Sequence, residues 1–241
     1  MEKIVTDKIG KNTLDVIGEA DKFNKWMYGT ILPFTKGKIL EIGSGLGTIS
    51  NFFINNNKEI FLTDLRTEYC TLLRDKYTSK KNLLGVDQLN LIHPDFDKVY
   101  KDYLEKFDTV FALNVIEHIK DDNLAISNCK KLLNNDGHLI VLVPSYQKLY
   151  NRFDEELGHF QRYNLNSLQK LFSRNHLSIV HKQYFNLIGI AGWYFSGSLM
   201  KKESIPSNQM KIYNKLVPVW QVLDMMVQNK IGLSTIVVGR K

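Results

Sequence analysis

Three glycines spaced two apart, Gly43, Gly45 and Gly47, stand between an apolar run and an amphipathic one. The run before them, Ile39, Leu40 and Ile42, is broken only by Glu41; after them Ile49, Phe52 and Phe53 recur at helical spacing. This order spells a strand, a tight turn and a helix. Such a turn brings backbone N–H groups close to a ligand, because a Cβ at Gly43 or Gly45 would stand in the way. A second apolar run, residues 59–62, leads to Asp64 and Leu65. An acidic side chain just past the second strand of a βαβ unit can accept hydrogen bonds from both hydroxyls of a ribose. These residues suit a nucleoside-bearing cofactor.

The spacing sharpens which nucleoside. A dinucleotide fingerprint reads G-x-G-x-x-G and sets a helix N-terminus against a pyrophosphate. Here the glycines read G-x-G-x-G, with Glu41 two residues before the first. The stretch EIGSGLG, followed by Asp64 after the next strand, resembles motif I of the class I S-adenosylmethionine-dependent methyltransferases. A carboxylate at Glu41 suits a cationic ligand without a pyrophosphate better than it suits NAD. The resemblance implies S-adenosylmethionine as cofactor and a Rossmann-like sheet of seven strands, mostly parallel with the last antiparallel, in the order 3-2-1-4-5-7-6. Two other readings stay open: an NAD-binding oxidoreductase, and a non-catalytic protein that binds S-adenosylmethionine as a partner subunit.

The rest of the chain must position these groups. Residues 1–37 read as a helical, aromatic lead-in ending at Pro33. The resemblance lays this segment over the cofactor, with Tyr28 reaching it; alternatively Phe23 and Trp26 cap the core. Residues 66–77 predict a helix and 89–96 a third strand ending at Asp95. The family order makes Asp95 the acceptor for the adenine amino group and Phe96 its packing neighbour, whereas Pro94-Asp95 is also common turn chemistry. Residues 107–113 form a fourth strand that runs into NVIEHIKDD, which resembles the stretch after the family's motif IV. Asn114 then sits at the carboxyl end of a strand, where ligands bind in open parallel sheets. Glu117 and His118 begin the next helix, with His118 either facing the acceptor or supporting the fold. A helix over 123–133 stops at the Asn-Asn-Asp-Gly turn, and 138–144 is an apolar fifth strand.

After Pro144 comes a dense polar and aromatic stretch holding Tyr150, Asp154, His159, Arg162 and Tyr163, with GHFQRY at its centre. It is similar to a stretch in a bacterial subgroup of the same methyltransferases. Its place after the fifth strand puts it over the cofactor, so these residues line an acceptor pocket or else tie one another into an ordered loop. An amine or hydroxyl acceptor needs a route for its proton. His159 is the first candidate base and Asp154 the second. Asn166 reads as the cap of the following helix, 177–184 as a sixth strand and 233–241 as the last. Residues 186–232 form a helical insertion: a lid, a dimer face, a membrane-touching element or extra core packing.

The whole chain of 241 residues, 44% of them hydrophobic, fits one α/β domain, divided into the lead-in, a core over 38–185, the insertion and the last strand. Cys70 and Cys129 have no metal-ligand spacing, no carboxylate trio marks a magnesium site, and no metal is expected. No signal peptide or membrane span is visible, which indicates a cytoplasmic protein with peripheral membrane contact as an option. The net charge of +7 is scattered rather than gathered with aromatics, so nucleic acid is an unpromising partner. Nothing resembles the Asn-Pro-Pro-Tyr motif of exocyclic-amine methyltransferases. These absences, with the resemblance, point to O- or N-methylation of a small molecule, a sugar or a glycan- or lipid-linked acceptor, in a monomer or homodimer. The GHFQRY resemblance in particular points to polysaccharide assembly.

Overall fold

A computed structural model describes residues 8–195 and 206–241. The parts of the insertion reading SGSLM and KKESI lie outside the described residues. Seven strands form one sheet in the order β3-β2-β1-β4-β5-β7-β6. They are β1 (Ile39–Ile42), β2 (Ile60–Asp64), β3 (Leu83–Gln88), β4 (Phe107–Leu113), β5 (Leu133–Pro144), β6 (Ser178–Phe185) and β7 (Ser234–Arg240). β7 runs antiparallel between β5 and β6, with Val237 opposite Val141 and Lys182. The order expected from the resemblance is the order found.

The central strands read as unbroken apolar runs because helices cover both faces of the sheet. Side chains alternate between the two faces, so one strand serves two cores. On β5, Leu139, Val141 and Val143 join a cluster with Leu40, Val110 and Phe172. Ile140 and Leu142 point the other way, toward Ile39, Phe53, Leu62 and Phe111. The covering helices include α1 (Lys8–Gly18), α2 (Asp21–Ile31), α3 (Ser50–Asn55), α4 (Thr67–Tyr77), α5 (Phe96–Val99) and α6 (Asp122–Leu132). Beyond β5 come α7 (Arg152–Glu156), α8 (Leu165–Arg174), α9 (Leu187–Trp193), α10 (Ser207–Lys215) and α11 (Val217–Met226).

Four local expectations are corrected. The third strand is Leu83–Gln88 rather than 89–96. It is an edge strand, half-exposed, and carries Gly85, Asp87 and Gln88 instead of an apolar run; the more apolar stretch after it is a loop that buries Leu89 and Leu91. The Asn-Asn-Asp-Gly stretch does not separate helix from strand. α6 hands over directly to β5, whose first residue, Leu133, already pairs with Phe107. Glu117 and His118 lie in a 3-10 turn, Ile116–His118, not in the following helix. Asn164, not Asn166, caps α8: its side chain accepts from the Ser167 N–H, and the Ser167 side chain answers the Asn164 N–H.

The insertion is stapled to the lead-in. Asn214 on α10 accepts from the Phe23 N–H at 3.0 Å and donates to Asp21 at 2.7 Å. Asp224 on α11 accepts from the N–H groups of Asn186 and Leu187 at 2.6 and 2.8 Å, which fixes the start of α9. Phe23 and Trp26 pack on Phe185, their ring centroids 5.9 and 4.4 Å from it. The outer face of α11 leaves Val219, Val222, Met225 and Met226 exposed. Among the described residues no helix is long and apolar enough to cross a membrane.

Candidate active site

A cavity of about 580 Å³ opens at the carboxyl ends of β1, β2 and β4. It lies where the strand order reverses between β1 and β4, the usual ligand position in such sheets. At one end is the glycine turn. Gly43 has φ +72°, and a Cβ there would come within 2.5 Å of Val115. Asp64 locks the turn: one carboxylate oxygen accepts from the Gly45 N–H and the other from the Arg66 N–H, both at 2.9 Å. Burial raises the Asp64 pKa, and the two N–H groups oppose the rise. Asp64, Leu65, Glu41, Gly43 and Gly45 all border the cavity, but Gly47 packs away from it, where a Cβ would strike Leu73 and the Tyr77 hydroxyl.

Glu41 lies beneath the turn with 4% of its surface exposed and accepts a hydrogen bond from the Ser50 hydroxyl. Burial pushes its pKa up to about 8, against the Ser50 bond. Between the ordinary carboxylate range and about 8 the folded chain therefore holds a proton that the unfolded chain has released. Stability falls as pH rises through that window, by up to about 1.4 kcal/mol per unit. Glu41→Gln keeps the shape and removes the slope. Its melting temperature relative to wild type should climb steadily from about pH 5 to about pH 8, and a pH-independent difference would count against the buried proton.

Three cofactor-side residues sit elsewhere than expected. Tyr28 is buried in the core, stacked on Phe52 at 5.3 Å and edge-on to Phe53 at 4.9 Å. Phe23, Asn24 and Met27 present the cavity face of α2 instead. Asp95 is exposed and Phe96 is a core residue against Tyr100; neither borders the cavity. The displacement follows from the strand shift. With β3 ending at Gln88, the chain passes the cavity at Asn90, which the sequence reading missed. The signal was available: Asn90 stands just past β3 much as Asp64 stands at the end of β2.

Asn114 borders the cavity at the end of β4, with φ +55° and its N–H donated to Leu142 at 2.8 Å. A left-handed conformation at a non-glycine residue beside a cleft is the kind of strain that functional sites hold. Beyond it the polar stretch resolves into two groups. His159 and Arg162 face the cavity, as do Glu117 and His118. Asp154 stands behind them, fully buried, and accepts from His159 Nδ1 and Arg162 Nε, each at 2.8 Å. Burial works to raise the Asp154 pKa, but these two partners outweigh it and hold the group below the usual carboxylate range. Arg162 also donates to the Ser145 carbonyl at 3.0 Å and lies 4.6 Å from the Trp193 ring centre.

Tyr150 and Tyr163 belong to the frame rather than the lining. The Tyr150 hydroxyl donates to the His159 carbonyl at 2.7 Å, and the Tyr163 hydroxyl to Asp122 at 2.9 Å. Asp154, the second candidate base, also closes the capping box of α7 with Asn151 and does not reach the cavity. Glu117 is fully buried at the cavity wall, and neither of its oxygens meets a donor among the described residues. Burial pushes its pKa up to about 8.

Sheet order and cavity together define the fold of the class I methyltransferases. Residues 40–139 match a family described as a methyltransferase domain. The chain is 29% identical over 103 residues to a ubiquinone biosynthesis O-methyltransferase of Actinobacillus pleuropneumoniae, a match covering 42% of this chain and 43% of the relative. It is 25% identical over 126 residues to a highly reducing polyketide synthase of Aspergillus nomiae, covering 48% of this chain and 5% of the synthase. The chain thus spans less than half the length of either curated relative. Among solved structures, phosphoethanolamine N-methyltransferase 2 of Haemonchus contortus, in complex with S-adenosyl-L-methionine, superposes with a TM-score of 0.60 at 16% identity. That match covers 89% of this chain and 52% of the other.

Proposed function

We propose that the protein is an S-adenosylmethionine-dependent methyltransferase acting on an oxygen or nitrogen of a small acceptor. One observation carries this reading: a single cavity runs from the glycine turn and Asp64 to the polar end at His159 and Arg162. Asp64 receives the ribose hydroxyls, Asn90 the adenine edge, and Glu41 and Asn114 face the charged methionine part. The sulfonium methyl is already activated, so the protein's task is alignment in line with the departing sulfur and exclusion of water, worth several kcal/mol of barrier. The apolar residues of α1 and α2, among them Leu14, Ile17 and Met27, close one wall against solvent. At the other end His159 turns its second ring nitrogen to the acceptor's reacting atom, and Asp154 acts through His159 by holding its Nδ1.

The acceptor is a small molecule, a sugar or a lipid-linked group. The curated relatives named for ubiquinone O-methylation and the structural neighbour named for phosphoethanolamine N-methylation fall within that range. A glycan-assembly role stands on the GHFQRY stretch alone. The test is release of S-adenosylhomocysteine when the protein is given labelled cofactor with panels of phenols, sugars and amines. Acceptor-dependent release from any panel, lowered far more in His159→Ala than cofactor affinity is, supports the reading. Equal loss of turnover, affinity and melting temperature in that variant would make His159 structural only.

A further inference from the structure

His118 lies 41 residues before His159 in the chain (159 − 118) and Glu117 directly precedes it, yet the ligand atoms of the three lie within 4.8 Å of one another at the cavity's polar end. The rings of His118 and His159 stand nearly perpendicular, with centroids 4.6 Å apart. We infer that these three side chains form a binding site for a divalent transition-metal ion such as Zn2+ or Fe2+. Two imidazoles and one carboxylate are the donor set that such ions take when positions must stay open for a substrate.

Four further features of the site support it. Glu117 is fully buried at the wall of the cavity and neither oxygen meets a donor among the described residues. A buried carboxylate in that condition costs free energy unless a cation or a proton meets it. His159 is already set as a ligand: Asp154 accepts from Nδ1 at 2.8 Å, which leaves Nε2 for the ion. A carboxylate behind a histidine is the usual outer partner of a metal-bound imidazole, fixing its tautomer and raising its basicity. The charges agree as well. Glu117 and Asp154 face one guanidinium, Arg162, whose bonds go to Asp154 and the Ser145 carbonyl. An ionised Glu117 would leave two carboxylates facing that one guanidinium, and a divalent ion would supply the missing positive charge. The backbone helps to hold the set together, since the Phe160 N–H donates to the Glu117 carbonyl at 2.8 Å.

The inference rests on the methyltransferase reading only for what the ion would do there. Its open positions would hold an acceptor oxygen at the methyl-receiving end, so that the acceptor is oriented by the ion instead of by His159 directly. Acceptors with an acidic hydroxyl or two adjacent oxygens would then be favoured.

The test is titration of the full, chelator-treated chain with Co2+, whose visible absorption reports ligation by nitrogen and oxygen, followed by competition with Zn2+. A single saturable equivalent displaced by Zn2+ is expected. Glu117→Gln and His159→Gln should each weaken it by at least about tenfold. His176→Gln, at an exposed position after α8, should leave it unchanged. Circular dichroism checks folding, and His118→Gln gives the same readout should a buried variant fail to fold. No saturable band in the wild-type chain, or a band that survives both Glu117→Gln and His118→Gln, overturns the site. Cofactor binding is measured separately. A chain that binds Co2+ in this pattern but not S-adenosylmethionine keeps the site and loses the functional reading; the reverse result loses the site alone.

Discussion

Asp64→Ala should weaken S-adenosylmethionine binding by at least tenfold, equivalent to about 1.4 kcal/mol or more. Two losses combine. On the proposed reading the carboxylate accepts from the ribose hydroxyls, and a hydrogen bond to a charged group contributes about 1.5–3 kcal/mol. The same carboxylate holds the Gly45 and Arg66 N–H groups, so its removal also frees the turn whose shape Gly43 and Gly45 make possible. Asp64→Asn separates the two. It keeps one acceptor oxygen and much of the packing, so it should fall between wild type and alanine. Titration of the three proteins gives the ranking, and equal affinity across them would remove Asp64 from the cofactor site.

Asp154→Ala should be the most destabilising of the substitutions considered. Its carboxylate and the Arg162 guanidinium are both fully buried and paired at 2.8 Å, and the alanine strands the cation. Breaking a buried pair from one side costs about 3–5 kcal/mol, because an uncompensated charge stays in the interior. Asp154 also receives the Asn151 N–H at the start of α7, so the capping box is lost as well. The exposed pair of Arg152 with Glu156 is the control. It lies at 3.4 Å with about half of the arginine side chain exposed, and its removal should cost under about 1 kcal/mol. Chemical denaturation of both variants measures the difference. A loss at Asp154 as small as that at Arg152 would mean that the buried network carries no net stability.

The cofactor half of the site was legible in the sequence where local chemistry fixes it. A glycine turn needs its glycines at set spacing, and an acid at the end of β2 follows from the strand's length, so Glu41, Gly43, Gly45 and Asp64 all fell at the cavity. The acceptor half was legible only as a region. Tyr150, Asp154, His159, Arg162 and Tyr163 were all marked, yet which of them faces the cavity depends on α7 and the buried Asp154, which no periodicity reveals. Asp95, Phe96 and Tyr28 went astray for a different reason. The edge strand β3 carries a weak pattern, and a one-element slip moved the expected cavity residue after the third strand from Asn90 to Asp95. Tyr28 occupies the helix face that packs on α3, while its neighbours on α2 look into the cavity. Glu117 was marked only as the start of a helix, because its burial and its approach to His159 are tertiary facts.

The central claim is that the cavity takes S-adenosylmethionine. Calorimetric titration of the wild-type chain with S-adenosylmethionine, S-adenosylhomocysteine and NAD tests it most directly. Saturable micromolar binding of the first two at one site and none of NAD is expected, because the G-x-G-x-G spacing departs from the dinucleotide fingerprint. Binding of NAD with no response to either S-adenosyl compound would contradict it.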